Sequence, residues 1–125
     1  MKILVVEDEI AIQRFFAAKL KDHEYYYALT SQTAIGFLVA DKFDIIFLDY
    51  DLGNGDNAVP VAEAIRLLGC DRSPEERIII TSNNPDKAEL LQYAIGRECD
   101  IIPKLDLVRR WGKYIKLEQE AHTND

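Results

Sequence analysis

Five short apolar runs, each followed by a segment of helical period, predict an α/β fold: a five-stranded parallel sheet with helices on both faces. Three observations carry this reading. The runs Ile45-Ile46-Phe47-Leu48 and Ile78-Ile79-Ile80 are apolar without alternation, the pattern of strands buried on both faces. The intervening segments repeat apolar residues three and four apart, as helices do when one side packs on a core. Strand and helix alternate throughout, and right-handed crossovers then leave few topologies.

Lys2–Val6 is the first candidate strand, ended by Glu7-Asp8-Glu9. Ile10–Lys21 follows as a helix, with Ile12, Phe15, Phe16 and Leu20 at helical spacing. Acidic residues at its start and Lys19 and Lys21 at its end suit the helix dipole. Tyr25–Leu29 is β-prone. Thr30 or Ser31 is a natural N-cap for a second helix through about Ala40, with Ala34, Ile35 and Leu38 on one face. The stretch Asp44–Asp51 holds the third strand, and the apolar run ends at Asp49. Gly53-Asn54-Gly55-Asp56-Asn57 is then a dense loop signal.

Pro60 sits just inside a third helix that faces Val61, Ile65 and Leu68 inward and ends at Gly69. Asp71–Glu76 is a polar connection that includes Ser73-Pro74. Arg77–Ile80 is the fourth strand and runs out into Thr81-Ser82-Asn83-Asn84. Pro85–Ile95 is a helix with Ala88, Leu91 and Ile95 inward, closed by Gly96. Asp100–Pro103 is the fifth strand, followed at once by Lys104. Leu107, Val108, Trp111, Tyr114 and Ile115 define one last amphipathic helix, and residues 118–125 read as a frayed tail. Trp111 and Tyr114 are expected in or beside the core, with Arg109, Arg110, Lys113 and Lys116 on a solvated face.

A chain of 125 residues suits one domain with one core, here residues 1–125. No apolar run is long enough to span a bilayer. Met1-Lys2 leads straight into a strand rather than a signal peptide, so a cytoplasmic address is expected, with no membrane partner. The net charge of −7 argues against non-specific nucleic-acid binding, which depends on neutralising phosphates. Cys70 and Cys99 lack metal-ligand spacing and read as buried or half-buried free thiols, and His23 and His122 as surface residues.

In open α/β sheets, ligands bind beyond the carboxyl ends of the strands. In this chain those ends carry Glu7-Asp8, Asp49, Thr81-Ser82 and Lys104. Carboxylates brought close together repel, and one takes up a proton unless a cation intervenes. Two or three of them suit Mg²⁺, which keeps several waters and is completed by a phosphate oxygen. A lone Lys104 suits a phosphoryl group as a point charge, and Thr81 can donate to a phosphoryl oxygen. Asp49 is then a candidate nucleophile toward phosphorus, with charge on the equatorial oxygens met by the metal and Lys104. Each residue also has a plain reading. Asp49 can start a turn, Glu7-Asp8-Glu9 can be a helix N-terminal charge run, Thr81 or Ser82 can cap the next helix, and Lys104 can be solvated. That all of them fall at strand ends argues for the joint reading.

The ordered set Ile3-Leu4-Val5-Val6-Glu7-Asp8-Glu9, Asp44-Ile45-Ile46-Phe47-Leu48-Asp49, Ile78-Ile79-Ile80-Thr81-Ser82 and Ile102-Pro103-Lys104 resembles a response-regulator receiver domain over essentially the whole chain. The resemblance implies a flavodoxin-like (βα)5 fold with strand order 2-1-3-4-5. It implies a phosphorylation switch or relay intermediate rather than an enzyme. Asp49 would accept a phosphoryl group from a histidine kinase or a histidine phosphotransfer protein. Asp8, Asp49 and the main-chain carbonyl of Asp51 would ligate Mg²⁺, Glu7 would hold metal-bound water, and Thr81 and Lys104 would bind the phosphoryl group. A downstream protein target is implied, and a phosphorylation-linked homodimer through the fourth helix, fifth strand and fifth helix.

Departures from that family are specific. Gly53 stands where it usually has Pro, Asp56-Asn57 where it has Asp-Gly, Leu105 where Pro follows the Lys, and Ile101 where it has a switch aromatic. Asp51 adds a fourth acid near the site. Phosphorylation chemistry is therefore expected with atypical output. Two other classes compete. Asp49-Tyr50-Asp51 resembles the nucleophile motif of haloacid-dehalogenase-type phosphohydrolases, and Asp49–Gly53 with Thr81–Pro85 looks like a receiver-like group suggested to process cyclic phosphates. An adaptor that binds partners without phosphorylation is the third. With no output domain in sight, the chain reads as a stand-alone receiver or a piece of a longer protein.

Overall fold

The computed structural model describes residues 1–69 and 76–116. Cys70, Ser73-Pro74, His122 and the tail expected over 118–125 lie outside the described residues. Strands β1 (Lys2–Val6), β2 (Glu24–Ala28), β3 (Ile45–Leu48), β4 (Arg77–Ile80) and β5 (Asp100–Ile101) form one parallel sheet in the order β2-β1-β3-β4-β5. The helices are α1 (Ile10–Leu20), α2 (Ser31–Ala40), α3 (Val59–Leu67), α4 (Pro85–Ile95), α5 (Lys104–Arg109) and α6 (Trp111–Tyr114). This is the flavodoxin-like arrangement the sequence predicts.

Side-chain alternation along the strands divides the core in two. Leu4, Val6, Ile46, Leu48, Ile78 and Ile80 point to one face and pack with Ala34 and Leu38 of α2, Val61, Ala62 and Ile65 of α3, and Ala88, Leu91 and Ile95 of α4. Ile3, Val5, Ile45, Phe47 and Ile79 point to the other, where they meet Phe16 and Leu20 of α1 and Leu107 of α5. Trp111 stacks on Phe47 at 5.7 Å between ring centres and meets Phe16 edge-on. Such aromatic contacts add to the burial of the rings themselves.

Helix boundaries follow local chemistry. The Thr30 side chain accepts the Thr33 N–H and caps α2. Pro60 occupies the first turn of α3, where its missing N–H is not needed. Asn84 caps α4 by accepting from Asp86 and Lys87, and Gly96 closes that helix at φ +80°. The cap is thus Asn84, and Ser82 Oγ supports it by accepting the Asn84 N–H at 3.2 Å. Two expectations need correction. The fifth strand is two residues long, not four, because Ile102 makes the last ladder bond, to Ile80 O at 2.9 Å, and Pro103 has no N–H to continue. The single last helix is two, broken at Arg110 (φ −129°, ψ 37°), with Gly112 one turn on weakening propagation. Trp111 and Tyr114 are half-buried as expected, and Arg109, Arg110, Lys113 and Lys116 are exposed. His23 is half-buried rather than superficial.

Candidate functional site

Register brings the predicted residues level. Val6 pairs with Leu48, Leu48 with Ile80, and Ile80 with Ile101. The next residue along each of the three inner strands is Glu7, Asp49 and Thr81. The ladder continues through them: Asp49 N donates to Val6 O at 3.1 Å, and Thr81 N to Leu48 O at 2.9 Å. All three are buried, at 1 %, 6 % and 3 % exposure, although they are polar. Buried polar groups at one end of a sheet need partners or a ligand.

Asp8 follows Glu7 and is reachable from solvent. One carboxylate oxygen from each of Glu7, Asp8 and Asp49 lies within 4.8 Å of the others. Lys104 opens α5 and points into this cluster with only 12 % of its side chain exposed. Its Nζ donates to Asp49 Oδ2 at 2.9 Å, stands 2.9 Å from Glu7 Oε1, and reaches Glu9 Oε2 at 3.5 Å. The contact to Glu7 Oε1 is an ion pair without hydrogen-bond alignment, so that buried oxygen accepts no hydrogen bond. Glu7 Oε2 accepts Glu9 N–H, and Asp49 Oδ1 accepts Tyr50 N–H, each at 2.9 Å.

Three carboxylates (Glu7, Glu9 and Asp49) thus share one ammonium, with the Asp8 carboxylate beside them, so acidic groups outnumber the cation. Burial pushes Asp49 and Glu7 above the ordinary carboxylate range, and their contacts with Lys104 only partly offset it. Burial also works against the Lys104 ammonium, but Asp49 and Glu7 outweigh it and hold that pKa above its usual value. The donors fit a hard divalent cation: clustered carboxylate oxygens, a buried Glu7 Oε1 that accepts no hydrogen bond, and an excess of acidic groups.

The β3–α3 connection folds as a small hairpin over this cluster. Asn54 (φ +52°) and Gly55 (φ +79°) make a type I′ turn closed by Asp56 N to Gly53 O at 2.9 Å. Asp51 bridges Asn57 in antiparallel fashion. The hydrogen bonds of that bridge belong to the flanking pairs, Ala58 N to Tyr50 O and Leu52 N to Asp56 O. Asp51 therefore sits in a non-hydrogen-bonded pair, and the bridge does not use its carbonyl. Its side chain turns outward instead, 68 % exposed, to Lys87 of α4 at 3.0 Å. The Lys87 ammonium also lies 5.2 Å above the Tyr50 ring. Gly53 (φ +78°) runs so close to Asp8 that an added Cβ would lie 2.7 Å from its Oδ2.

Reading the sequence alone misses four of these parts. Asp56 anchors the hairpin by accepting Ser31 N–H at 2.8 Å and the Ser31 hydroxyl at 2.7 Å. Asn83 accepts Leu105 N–H at 3.3 Å and so ties the β4–α4 loop to the start of α5. Lys87 pairs with Asp51 from 36 residues away, a separation that leaves no local signal. Gly53 could have been suspected, since Asn54-Gly55 is the strongest short hairpin dipeptide and fixes where the chain reverses.

A doubly wound sheet that presents an acidic cluster and one buried lysine at its carboxyl edge defines a receiver-type domain. Residues 2–97 match the family described as the Cyclic-phosphate processing Receiver domain, and the chain belongs to that family. No curated protein matches it. Solved structures show the same fold. The response regulator TrrA from Thermotoga maritima, in complex with Mg²⁺-BeF, aligns at 23 % identity and TM-score 0.66, covering 90 % of this chain and 96 % of that one. The chemotaxis protein CheY4 of Vibrio cholerae aligns at 20 % and 0.67, covering 91 % and 98 %. A Saccharomyces cerevisiae co-crystal structure joins the histidine phosphotransfer protein Ypd1 to the receiver domain of Ssk1. The alignment to it has 22 % identity and TM-score 0.71, covering 92 % and 86 %. Among the described residues no helix is long and apolar enough to cross a membrane.

Proposed function

We propose that this receiver domain, taken as one domain over residues 1–125, accepts a phosphoryl group on Asp49 in a Mg²⁺-dependent reaction and serves as a switch or relay intermediate. The carrying observation is the Lys104 ammonium 2.9 Å from Asp49 Oδ2 inside a cluster of three carboxylates. Asp8, Asp49 and the Asp51 carbonyl would hold the ion, with Glu7 Oε1 accepting from a water on it. When bound, the ion neutralises the acids and draws charge from phosphoryl oxygens.

The remaining steps belong to the chain. An ionised Asp49 oxygen attacks phosphorus, and the bond to the donor nitrogen of a phosphohistidine breaks with its electron pair leaving on nitrogen. Lys104, shared between Asp49 and Glu7, is placed to follow the charge onto a phosphoryl oxygen. Thr81, level with Asp49, donates its hydroxyl to another. The donor would be a histidine kinase or phosphotransfer protein, as in the co-crystallised yeast pair. Leu90 and Tyr93 of α4, Ile101 of β5 and Leu105 of α5 are exposed and support a downstream or homodimer contact there. With Ile101 in place of an aromatic ring, the readout would pass through packing rather than ring rotation.

Acetyl phosphate or beryllofluoride with Mg²⁺ tests the reading. Mass spectrometry should find the phosphoryl group on Asp49 and none on an Asp49→Asn chain. Identical behaviour of the two proteins rejects it. A second reading, turnover of a cyclic phosphate, is favoured by the family match over residues 2–97. More than one product molecule per chain from a cyclic phosphodiester, lost in Asp49→Asn, would select it over a stoichiometric switch. The haloacid-dehalogenase alternative is weakened because Asp51, its second acid, faces Lys87 and solvent rather than the cluster.

A further inference from the structure

We infer that Gly53 is a positioning residue of the acidic site, whose bare backbone forms the wall that fixes the carboxylate of Asp8. This rests on the metal-site reading above and adds to it a residue outside the ligand set. Gly53 and Gly55 are near twins in backbone conformation, at φ +78° and +79°, a region that strains any L side chain. They differ in surroundings. A Cβ at Gly55 meets nothing within 4 Å, whereas one at Gly53 lies 2.7 Å from Asp8 Oδ2. The nearest carbon of that carboxylate is 3.8 Å away, so the clash is with the outer oxygen alone.

The wall itself is fastened independently of Asp8. Leu52 is buried in the core at 4 % exposure. Asp56 is held by Ser31 of α2, and the turn by its own Gly53–Asp56 bond. A side chain at residue 53 therefore displaces the freer partner. Asp8 reaches its position through a rotatable χ1, and its oxygen moves before the hairpin does. The fold tolerates the change, and the penalty falls on where a ligand oxygen points. The proline usual at this point in the resembled family cannot adopt φ +78°, since its ring holds φ near −65°. The close wall is thus a property of this loop.

The test compares Gly53→Ala with Gly55→Ala in the full chain. Mg²⁺ and Mn²⁺ are titrated against the fluorescence of Trp111, which stacks on Phe47 two residues before Asp49, and calorimetry gives the same constants. Both variants carry the same backbone strain, and Gly53→Ala should lose a little more melting temperature without metal because it alone also displaces the Asp8 oxygen. Gly53→Ala should bind metal about 10–100-fold more weakly, the usual consequence of disturbing a ligand's support. Gly55→Ala should bind as the unmodified protein does. Equal affinities in the two variants overturn the inference. Failure of the unmodified protein to bind either ion overturns both this inference and the metal-site reading, which separates it from failure of Gly53→Ala alone. A metal-free check covers misfolding of Gly53→Ala. Adding Asp8→Ala removes the clashing oxygen, so the double variant should melt higher than additivity predicts, and strict additivity overturns the proposal.

Discussion

Two lysines stand at the carboxyl edge of this sheet, and each faces an aspartate of the same short segment. Lys104 has 12 % of its side chain exposed and meets Asp49, at 9 %, and Glu7, at 2 %. Lys87 has 37 % exposed and meets Asp51, at 68 %. The separations are nearly equal, 2.9 and 3.0 Å. What differs is water. The inner lysine serves more charge than it can neutralise in a site that solvent cannot screen. The outer one makes a pair that solvent weakens to nearly nothing. Distance alone would rank them together, while burial makes one a strongly coupled charge cluster and leaves the other a weak surface pair.

The largest expected effect is at the inner lysine. Lys104→Met leaves Glu7 and Asp49 buried without their cation and should destabilise the metal-free protein by roughly 2–3 kcal/mol in urea unfolding. Saturating Mg²⁺ should return much of that, because the ion stabilises whichever state binds it. No Mg²⁺ rescue would show that the cluster does not behave as a cation site. Asp49→Asn should move the other way, by about 1 kcal/mol toward stability without metal, since it removes one of the carboxylates competing for Lys104. Its denaturant midpoint should then depend less on Mg²⁺ than that of the unmodified protein.

Asp56 lies between these extremes. Its carboxylate is held below the ordinary range first by the Ser31 N–H and then by the Ser31 hydroxyl. A folded pKa below the unfolded value of about 3.9 gives stability that is fully present above that value. It is lost as pH falls through the folded value. Asp56→Ala should cost about 1 kcal/mol at pH 7 and much less at pH 2, followed by thermal unfolding across that range. An equal loss at both pH values would mean the carboxylate charge is not what anchors α2. Smallest of all, Lys87→Ala should change stability by less than about 0.5 kcal/mol, and half-molar salt should erase the difference. A larger, salt-resistant loss would place the outer pair in the inner class.

The contrast also marks how far the sequence could be read. Strand identities, their parallel alternation and the convergence of Glu7, Asp8, Asp49, Thr81 and Lys104 were legible, because apolar runs and strand-end polar residues are local signals. The Lys104–Asp49 contact followed from topology, since all five strands end at one edge. The outer pair was not legible. Lys87 and Asp51 look like any exposed charges on a helix and a loop, and only the crossing of α4 over the hairpin joins them. Asp56 likewise reads as a loop residue until α2 is seen to start beside it. The split at Arg110 escaped because Leu107, Val108, Trp111, Tyr114 and Ile115 keep helical spacing across a break that one backbone torsion makes. The short fifth strand escaped because Ile102 is buried, at 5 % exposure, without belonging to a strand.

That abbreviated border strand constrains how the molecule can meet copies of itself. Strand-to-strand recruitment needs a row of open amides, and two residues supply almost none. At the same border Arg77 reaches Asp100 at 2.6 Å and further occupies the rim. Growth of the sheet into a neighbouring chain is closed off on this side, and the opposite border carries Glu24 beside Lys2 and Asp41, a charged fringe that discourages the same event. Both borders of the sheet are thereby poor templates for adding a further chain.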